Sequence, residues 1–369
     1  MSAALDHRFM ALALALAERG LGNVWPNPAV GCVLVKDGRV VGRGWTQPGG
    51  RPHAESEAID RAGAAARGST AYVTLEPCAH HGRTPPCVDL MLSAGIARTV
   101  VAAVDPDPRV DGKGIERLRK AGMVVDVGCM EAEACRLNSG FFLRMRHRRP
   151  FVALKLATSA DGRIATATGD SQWITGPAAR AEGHRLRLRH DAILIGSGTA
   201  LADDPMLTCR LPGLQHRSPV RVILDRRLRL PPDGQLARSA AEQPVWLFTS
   251  AGDGTATRSL GSKGVTLFSA AGQDSTTVLQ HVLETLAEQG ITRVLVEGGA
   301  TLATAFLRAG MVDLLHQFAA PMLIGADGYP ATHSLAVTRL ANIPRWRRVD
   351  GRLLEADRLD VLEPVPRAG

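Results

Sequence analysis

His53-Ala54-Glu55, a helix-length interval, Thr74-Leu75-Glu76-Pro77-Cys78, then Ala79-His80-His81-Gly82-Arg83-Thr84-Pro85-Pro86-Cys87: this stretch decides the architecture. It supplies one imidazole, two thiols and one free carboxylate. A catalytic zinc takes three protein ligands and keeps one position for water. Thiolates and imidazole suit zinc better than magnesium or calcium. His53 falls at the expected start of a helix running to about residue 67, and Cys87 in the first turn of another helix opened by Pro85-Pro86. The free N–H groups and dipole of such a helix start favour a thiolate.

His/Cys/Cys ligation, with a Glu two residues after the His that moves protons without touching the metal, is the pattern of zinc deaminases. His53, Cys78 and Cys87 are then the ligands and Glu55 the proton shuttle. Two plainer readings stand beside this one. A lone His-x-Glu means little, and paired cysteines are often core. A structural zinc would need a fourth ligand, which His80 or His81 would supply. The spacing also departs from the general Pro-Cys-x-x-Cys. Eight residues separate Cys78 from Cys87, and they are polar and basic, as contact with an anionic substrate requires.

Working outward, residues 5–19 carry apolar residues at helical spacing, with Asp6 able to cap the start. Trp25-Pro26-Asn27-Pro28 is a rigid turn. Residues 29–35 and 40–45 read as strands joined by an Asp37-Gly38 hairpin turn. Strands follow at 70–75, 98–104 and 123–128, with helices at 114–121 and 131–146. Strands alternating with helices predict a layered α/β fold with a mixed sheet: a hairpin first, parallel crossovers after it. The basic, proline-terminated segment 144–150 marks a boundary, giving domains 1–147 and 148–369.

The second half restarts with a strand at 151–157, a basic helix at 178–189 and a strand at 192–195. Residues 201–205 read as a polar turn. Further strands are expected at 220–225, 245–249, 265–268, 293–296 and 314–320, a helix at 276–289, and one or two antiparallel strands at the end. Gly196-Ser197-Gly198-Thr199 and Glu297-Gly298-Gly299-Ala300-Thr301 each follow a strand and open a helix. Backbone N–H groups there can hold a phosphate. Neither is a G-x-G-x-x-G, and ordinary tight turns explain either loop alone.

Bulk properties narrow the class. A chain of 369 residues implies two domains. It contains no apolar run long enough to span a bilayer, and its first helix is interrupted by Asp6, His7, Arg8, Glu18 and Arg19, so a cytoplasmic protein without membrane contact is expected. The cysteines Cys32, Cys78, Cys87, Cys129, Cys135 and Cys209 form no disulfide framework. The net charge of +8 gathers at 144–149, 185–189 and 226–229, which suits an anionic small molecule. Without aromatics interleaved among the basic residues, nucleic acid is not expected as a partner.

At this point a resemblance becomes specific. Pro26-Asn27-Pro28-x-Val30-Gly31, His53-Ala54-Glu55 and the run from Thr74 to Cys87 resemble the deaminase of riboflavin biosynthesis, a family in which a pyrimidine deaminase is fused to an NADPH-dependent reductase. The resemblance implies a cytidine-deaminase-like three-layer N-terminal domain and a dihydrofolate-reductase-like α/β C-terminal domain. It implies one zinc at the deaminase site, NADPH as cofactor, and a phosphorylated pyrimidine as substrate, first deaminated and then reduced from ribosyl to ribityl. Asn27, His80 and Arg83 fall where substrate is contacted, though a turn-forming role suits Asn27 equally. Ala157, Trp173, Thr199, Asp203 and the segment Gly299, Ala300, Thr301, Leu302, Ala303, Thr304, Ala305 fall at the NADPH site. Ser171, Arg187, Leu207, Arg210 and Glu297 fall at the substrate site, where guanidinium forks match a phosphate. Arg226 is a candidate for the cofactor's 2′-phosphate or a solvated side chain; Lys155 and Asp161 face the site or form a structural ion pair. A homo-oligomer is expected.

Overall fold

The computed structural model describes residues 3–80 and 85–366, so His81 and Arg83 lie outside the described residues. The chain divides into two units, Met1–Arg149 and Pro150–Gly369. The expected boundary, 147/148, falls just before this division, because the last helix of the first unit runs through His147.

The first unit contains α1 (Ala3–Ala17), β1 (Gly31–Lys36), β2 (Arg39–Trp45), α2 (Ala54–Ala62), β3 (Thr70–Val73), α3 (Cys87–Ser93), β4 (Arg98–Val101), α4 (Lys113–Lys120), β5 (Val124–Val127), α5 (Glu131–Leu137) and α6 (Ser139–His147). The sheet order is β2-β1-β3-β4-β5. β1 runs antiparallel to β2 and β3, and β3, β4 and β5 are parallel. Two close approaches set the layers. A Cβ on Gly31 would run into the Ala13 carbonyl of α1, and one on Gly44 into the Ala54 carbonyl of α2. Gly31 pairs with Trp45, so Gly44 faces the other way, and α1 and α2 cover opposite faces. Met10, Val33, Leu34, Tyr72, Met91 and Leu118 fill the core with no exposed surface. Each such side chain contributes about 1.5–3 kcal/mol of burial.

The expected single helix over 131–146 is broken. Asn138 is buried, and its carboxamide accepts from the Ala29 N–H and donates to the Ala29 carbonyl, both at 2.9 Å. That long-range pairing holds Asn138 outside helical geometry and separates α5 from α6.

The second unit contains β6 (Phe151–Ser159), β7 (Arg163–Ala165), α7 (Pro177–Leu188), β8 (Ala192–Gly196), α8 (Ser197–Asp203), β9 (Val220–Leu224), α9 (Gln235–Arg238), β10 (Val245–Thr249), α10 (Thr255–Ser262), β11 (Thr266–Ser269), α11 (Ser275–Glu288), β12 (Arg293–Glu297), α12 (Ala300–Arg308), β13 (Leu314–Ala320), β14 (Tyr329–Pro330), β15 (Trp346–Leu354) and β16 (Asp357–Pro364). Its main sheet has the order β11-β10-β9-β8-β12-β6-β13-β16-β15. All strands from β11 to β13 in that order are parallel, and β16 and β15 close the sheet antiparallel. The near-continuous apolar runs of β8, β12 and β6 reflect burial on both faces. The expected polar turn at 201–205 is partly helical: α8 continues to Asp203, and Asp204, at φ 37°, ends it before Pro205. Among the described residues no helix is long and apolar enough to cross a membrane.

Candidate active sites

In the first unit, the chain delivers His53 as the N-cap of α2, Cys78 from the segment after β3, and Cys87 as the first residue of α3. The His53 Nδ1 lies 3.3 Å from the Cys87 Sγ and 3.6 Å from the Cys78 Sγ, and the three ligand atoms lie within 4.8 Å of one another. A tetrahedral zinc with bonds of about 2.0–2.3 Å would hold neighbouring N and S ligand atoms about 3.5 Å apart. The donor set and its spacing therefore fit zinc. His80 does not join the cluster; its Nδ1 is buried with no hydrogen-bond partner among the described residues. Among the described residues the four-ligand structural reading finds no fourth ligand; His81, its other candidate, lies outside them.

The electrostatics suit a catalytic centre. The hydrogen bond from the Cys87 thiol, opposed by burial and reinforced by His53, brings the Cys78 thiol down to about 4. The backbone N–H of Cys87 also donates to the Cys78 sulfur at 3.3 Å. Its hydrogen bond to Cys78 raises the His53 imidazole. Glu55 is 4% exposed, and burial raises its carboxyl despite the pull of His53. A buried carboxyl displaced upward is ready to give and take a proton.

Two supports of this site were not singled out in the sequence. Glu76 is buried and accepts N–H groups from Gly114 at 2.8 Å, Gly112 at 2.9 Å, and Asp105 and Ile115 at 3.2 Å. It clamps the start of α4 against the segment that carries Cys78. Asp105 is buried nearby, and burial pushes its carboxyl up to about 7. The only sequence signal for either was an acid beside a proline at a strand end. Asn27 donates from Nδ2 to the Gly50 carbonyl at 2.7 Å, bracing the loop that leads to His53.

In the second unit the two glycine loops, nearly a hundred residues apart, are neighbours. They leave the C-terminal ends of β8 and β12, and the Gly299 N–H donates to the Thr199 Oγ1 at 3.1 Å. Strand ends of a parallel sheet are where α/β folds bind ligands. Glu297 ends β12, and Arg187 of α7 grips it through Nε at 2.8 Å and Nη2 at 3.0 Å. Lys155 of β6 stands 3.6 Å from the same carboxylate. Burial pushes Glu297 up, but Arg187 and Lys155 outweigh it and hold the carboxyl down at about 2.

The remaining candidates divide. Ala157 and Ser171 are half-buried, and Trp173 is 61% exposed with the Arg180 guanidinium stacked 4.7 Å from its ring. Asp203 ends α8, exposed, and Arg226 is exposed beyond β9. Residues 300–305 are the first turns of α12 rather than a loop. Ala300, Leu302, Ala303 and Thr304 turn into the protein, leaving Gly299 half-buried and Thr301 exposed at the helix start. The Leu207 side chain is in the core. Asp161 is committed to local structure: it accepts from Ser159 Oγ and from the N–H groups of Ile324 and Gly325. Arg229, which the sequence reading did not single out, donates to Ser197 Oγ at 2.6 Å, beside the first glycine loop.

Comparison with known proteins decides the family. Residues 3–103 match the cytidine and deoxycytidylate deaminase zinc-binding region, and residues 150–353 match the RibD C-terminal domain. The riboflavin biosynthesis protein RibD of Escherichia coli is 42% identical over 353 residues, covering 93% of this chain and 95% of that one.

The chain belongs to the RibD family.

A solved Acinetobacter baumannii RibD is 39% identical with a TM-score of 0.90, covering 99% of this chain and 100% of that one. A Thermotoga maritima diaminohydroxyphosphoribosylaminopyrimidine deaminase/5-amino-6-(5-phosphoribosylamino)uracil reductase is 36% identical with a TM-score of 0.88, at 99% and 100% coverage. The RibD assignment brings the expected fold with it, a cytidine-deaminase-like unit followed by a RibD reductase unit, and with these zinc and NADPH as the cofactors.

Proposed function

We propose that the first unit hydrolyses the 2-amino group from 2,5-diamino-6-(5-phosphoribosylamino)pyrimidin-4(3H)-one, releasing ammonia and 5-amino-6-(5-phosphoribosylamino)uracil. The second unit then reduces the ribosyl side chain to ribityl. The observation that carries this reading is the convergence of His53, Cys78 and Cys87 beside a buried Glu55. His53, Cys78 and Cys87 are the residues that would hold zinc, which when bound acidifies water to a pKa of about 7. Glu55 takes one proton from the attacking water and delivers it to the ring nitrogen, then takes the second from the newly formed hydroxyl and delivers it to the amine, so that C–O forms, C–N breaks and ammonia leaves. Asn27 holds the loop that orients His53. His80 and Arg83 are offered as substrate contacts.

In the second unit the hydride comes from NADPH. Ala300 and Thr301, with Thr199, supply N–H and hydroxyl groups at the start of α12 for the cofactor's phosphates, beside Gly299, whose own N–H is held by Thr199. Ala157, Trp173, Asp203 and Arg226 complete that surface. Glu297, fixed as a carboxylate, accepts from substrate hydroxyls, while Ser171, Arg210 and the backbone at Leu207, whose side chain is in the core, line the rest of the substrate site. Orientation of the two reactants is the protein's main task. The setting is cytoplasmic, with no membrane or nucleic acid as partner. The chain works as a homo-oligomer.

The test treats the purified chain with a zinc chelator and follows two reactions separately. Ammonia release from the diaminopyrimidine should stop, and NADPH oxidation with pre-deaminated substrate should continue. Loss of both, in a chain that remains folded, would overturn the two-site reading.

A further inference from the structure

Arg187 and Arg210 look equivalent in the sequence, but their surroundings differ. Arg187 spends its fork on Glu297, and its Nη1 donates to the Thr208 carbonyl at 3.0 Å. Arg210 is exposed, and among the described residues no acceptor takes its Nη groups. A bare surface arginine loses rotamer freedom when it binds, which weakens affinity. Arg210 is not bare. His184, one turn before Arg187 on α7, stands against it: the Arg210 Nε–H points at His184 Nε2 at 3.3 Å, and the Arg210 backbone N–H at His184 Nδ1 at 3.4 Å.

A neutral imidazole has one acceptor nitrogen, so either tautomer accepts one of these two N–H groups. Both contacts leave the outer Nη edge of the guanidinium open. Burial first, and then the charges of Arg187 and Arg210, lower His184 to about 4, so the ring is an acceptor at neutral pH. The Cys209 thiol, donating to the His184 carbonyl at 3.7 Å, ties the segment carrying Arg210 to the same turn of α7.

We propose that His184 is a positioning residue for the reductase reaction. It aims Arg210 so that the outer edge of its guanidinium meets the substrate phosphate, while Arg187 serves Glu297 and is withheld from the phosphate. This inference rests on Arg210 being a substrate contact.

The experiment measures reductase KM and kcat on the full-length, zinc-loaded chain. Two substrates are used: the pre-deaminated phosphorylated compound and its dephosphorylated counterpart. Arg210→Ala should raise KM for the phosphorylated substrate about tenfold and leave the dephosphorylated one unchanged. His184→Ala should raise the same KM about three- to fivefold at unchanged kcat, again only for the phosphorylated substrate. His184→Gln, whose amide oxygen accepts, should restore most of the loss. The double variant should be no worse than Arg210→Ala alone, because both changes remove one interaction. If Arg210→Ala leaves KM unchanged, the phosphate reading of Arg210 falls. If Arg210→Ala raises KM but His184→Ala does not, or acts equally on both substrates, or adds fully to Arg210→Ala, the positioning role falls. Should the alanine variant not fold, His184→Lys, which replaces the acceptor with a cation, must raise the phosphorylated-substrate KM while His184→Gln does not.

Discussion

Glu55 and Glu297 are both buried, at 4% and 8% exposure, yet they stand in opposite states. Around Glu55 are thiols and a single imidazole, and burial raises the carboxyl. Around Glu297 are a guanidinium and an ammonium, and together they overcome burial and hold the carboxyl at about 2. Burial disfavours charge only where no opposite charge stands close enough to outweigh it. The first arrangement makes a group that exchanges protons, which hydrolytic deamination requires. The second makes a fixed anion, the state that the proposed substrate-holding role of Glu297 would use.

Breaking that contrast at Glu55 should have the largest effect. Glu55→Gln should lower the deaminase kcat by about 10³-fold while NADPH oxidation with pre-deaminated substrate keeps its rate. Parallel assays of ammonia and NADPH would show a comparable fall in both if the glutamate were only structural.

At Glu297 the larger consequence is for folding. Glu297→Gln takes the counter-charge from the half-buried Arg187 and Lys155, leaving Arg187 with the Thr208 carbonyl alone. The reductase unit should lose about 3 kcal/mol in denaturant titrations, with NADPH oxidation impaired. A variant as stable as the parent would mean that the two cations find other acceptors.

Acid should sharpen the comparison further. Burial lowers His184 and His316 to about 4, so between the ordinary value of 6.5 and about 4 the unfolded chain binds protons that the folded one refuses. Stability of the reductase unit should therefore fall as pH drops through that window. Glu297, displaced downward, keeps its full contribution above its ordinary 4.5 and loses it only as pH falls towards about 2. Thermal melts of His316→Asn should show a flatter decline between pH 6.5 and 4 than the parent does; equal slopes would remove His316 from the account.

The smallest effect is expected at Asn27. Asn27→Ala removes one hydrogen bond to Gly50, worth about 1 kcal/mol. Deaminase kcat/KM should fall only a few-fold in initial-rate assays, and a loss as deep as that of Glu55→Gln would make Asn27 a direct substrate contact.

The convergence of His53, Cys78 and Cys87 was readable because these residues lie within one stretch. Local rules place them: His53 caps a helix, Cys87 opens one, and Glu55 follows on the same turn as His53. The helix break at Asn138 was not readable, since its cause is a partner more than a hundred residues away. The clamp by Glu76 escaped for the same reason, because its acceptors serve N–H groups on a distant loop and helix.

The sequence by itself determined the three side chains that converge in one cluster able to hold a metal, the alternating α/β pattern and the family, because each is written in residue types at short spacing. Only the tertiary structure decided that the two glycine loops form one surface, that Arg187 serves Glu297, and that Arg210 rests on His184. Charge and hydrogen-bond partners depend on which strand ends and helix turns meet, and that is set by sheet order, which spacing along the chain does not encode.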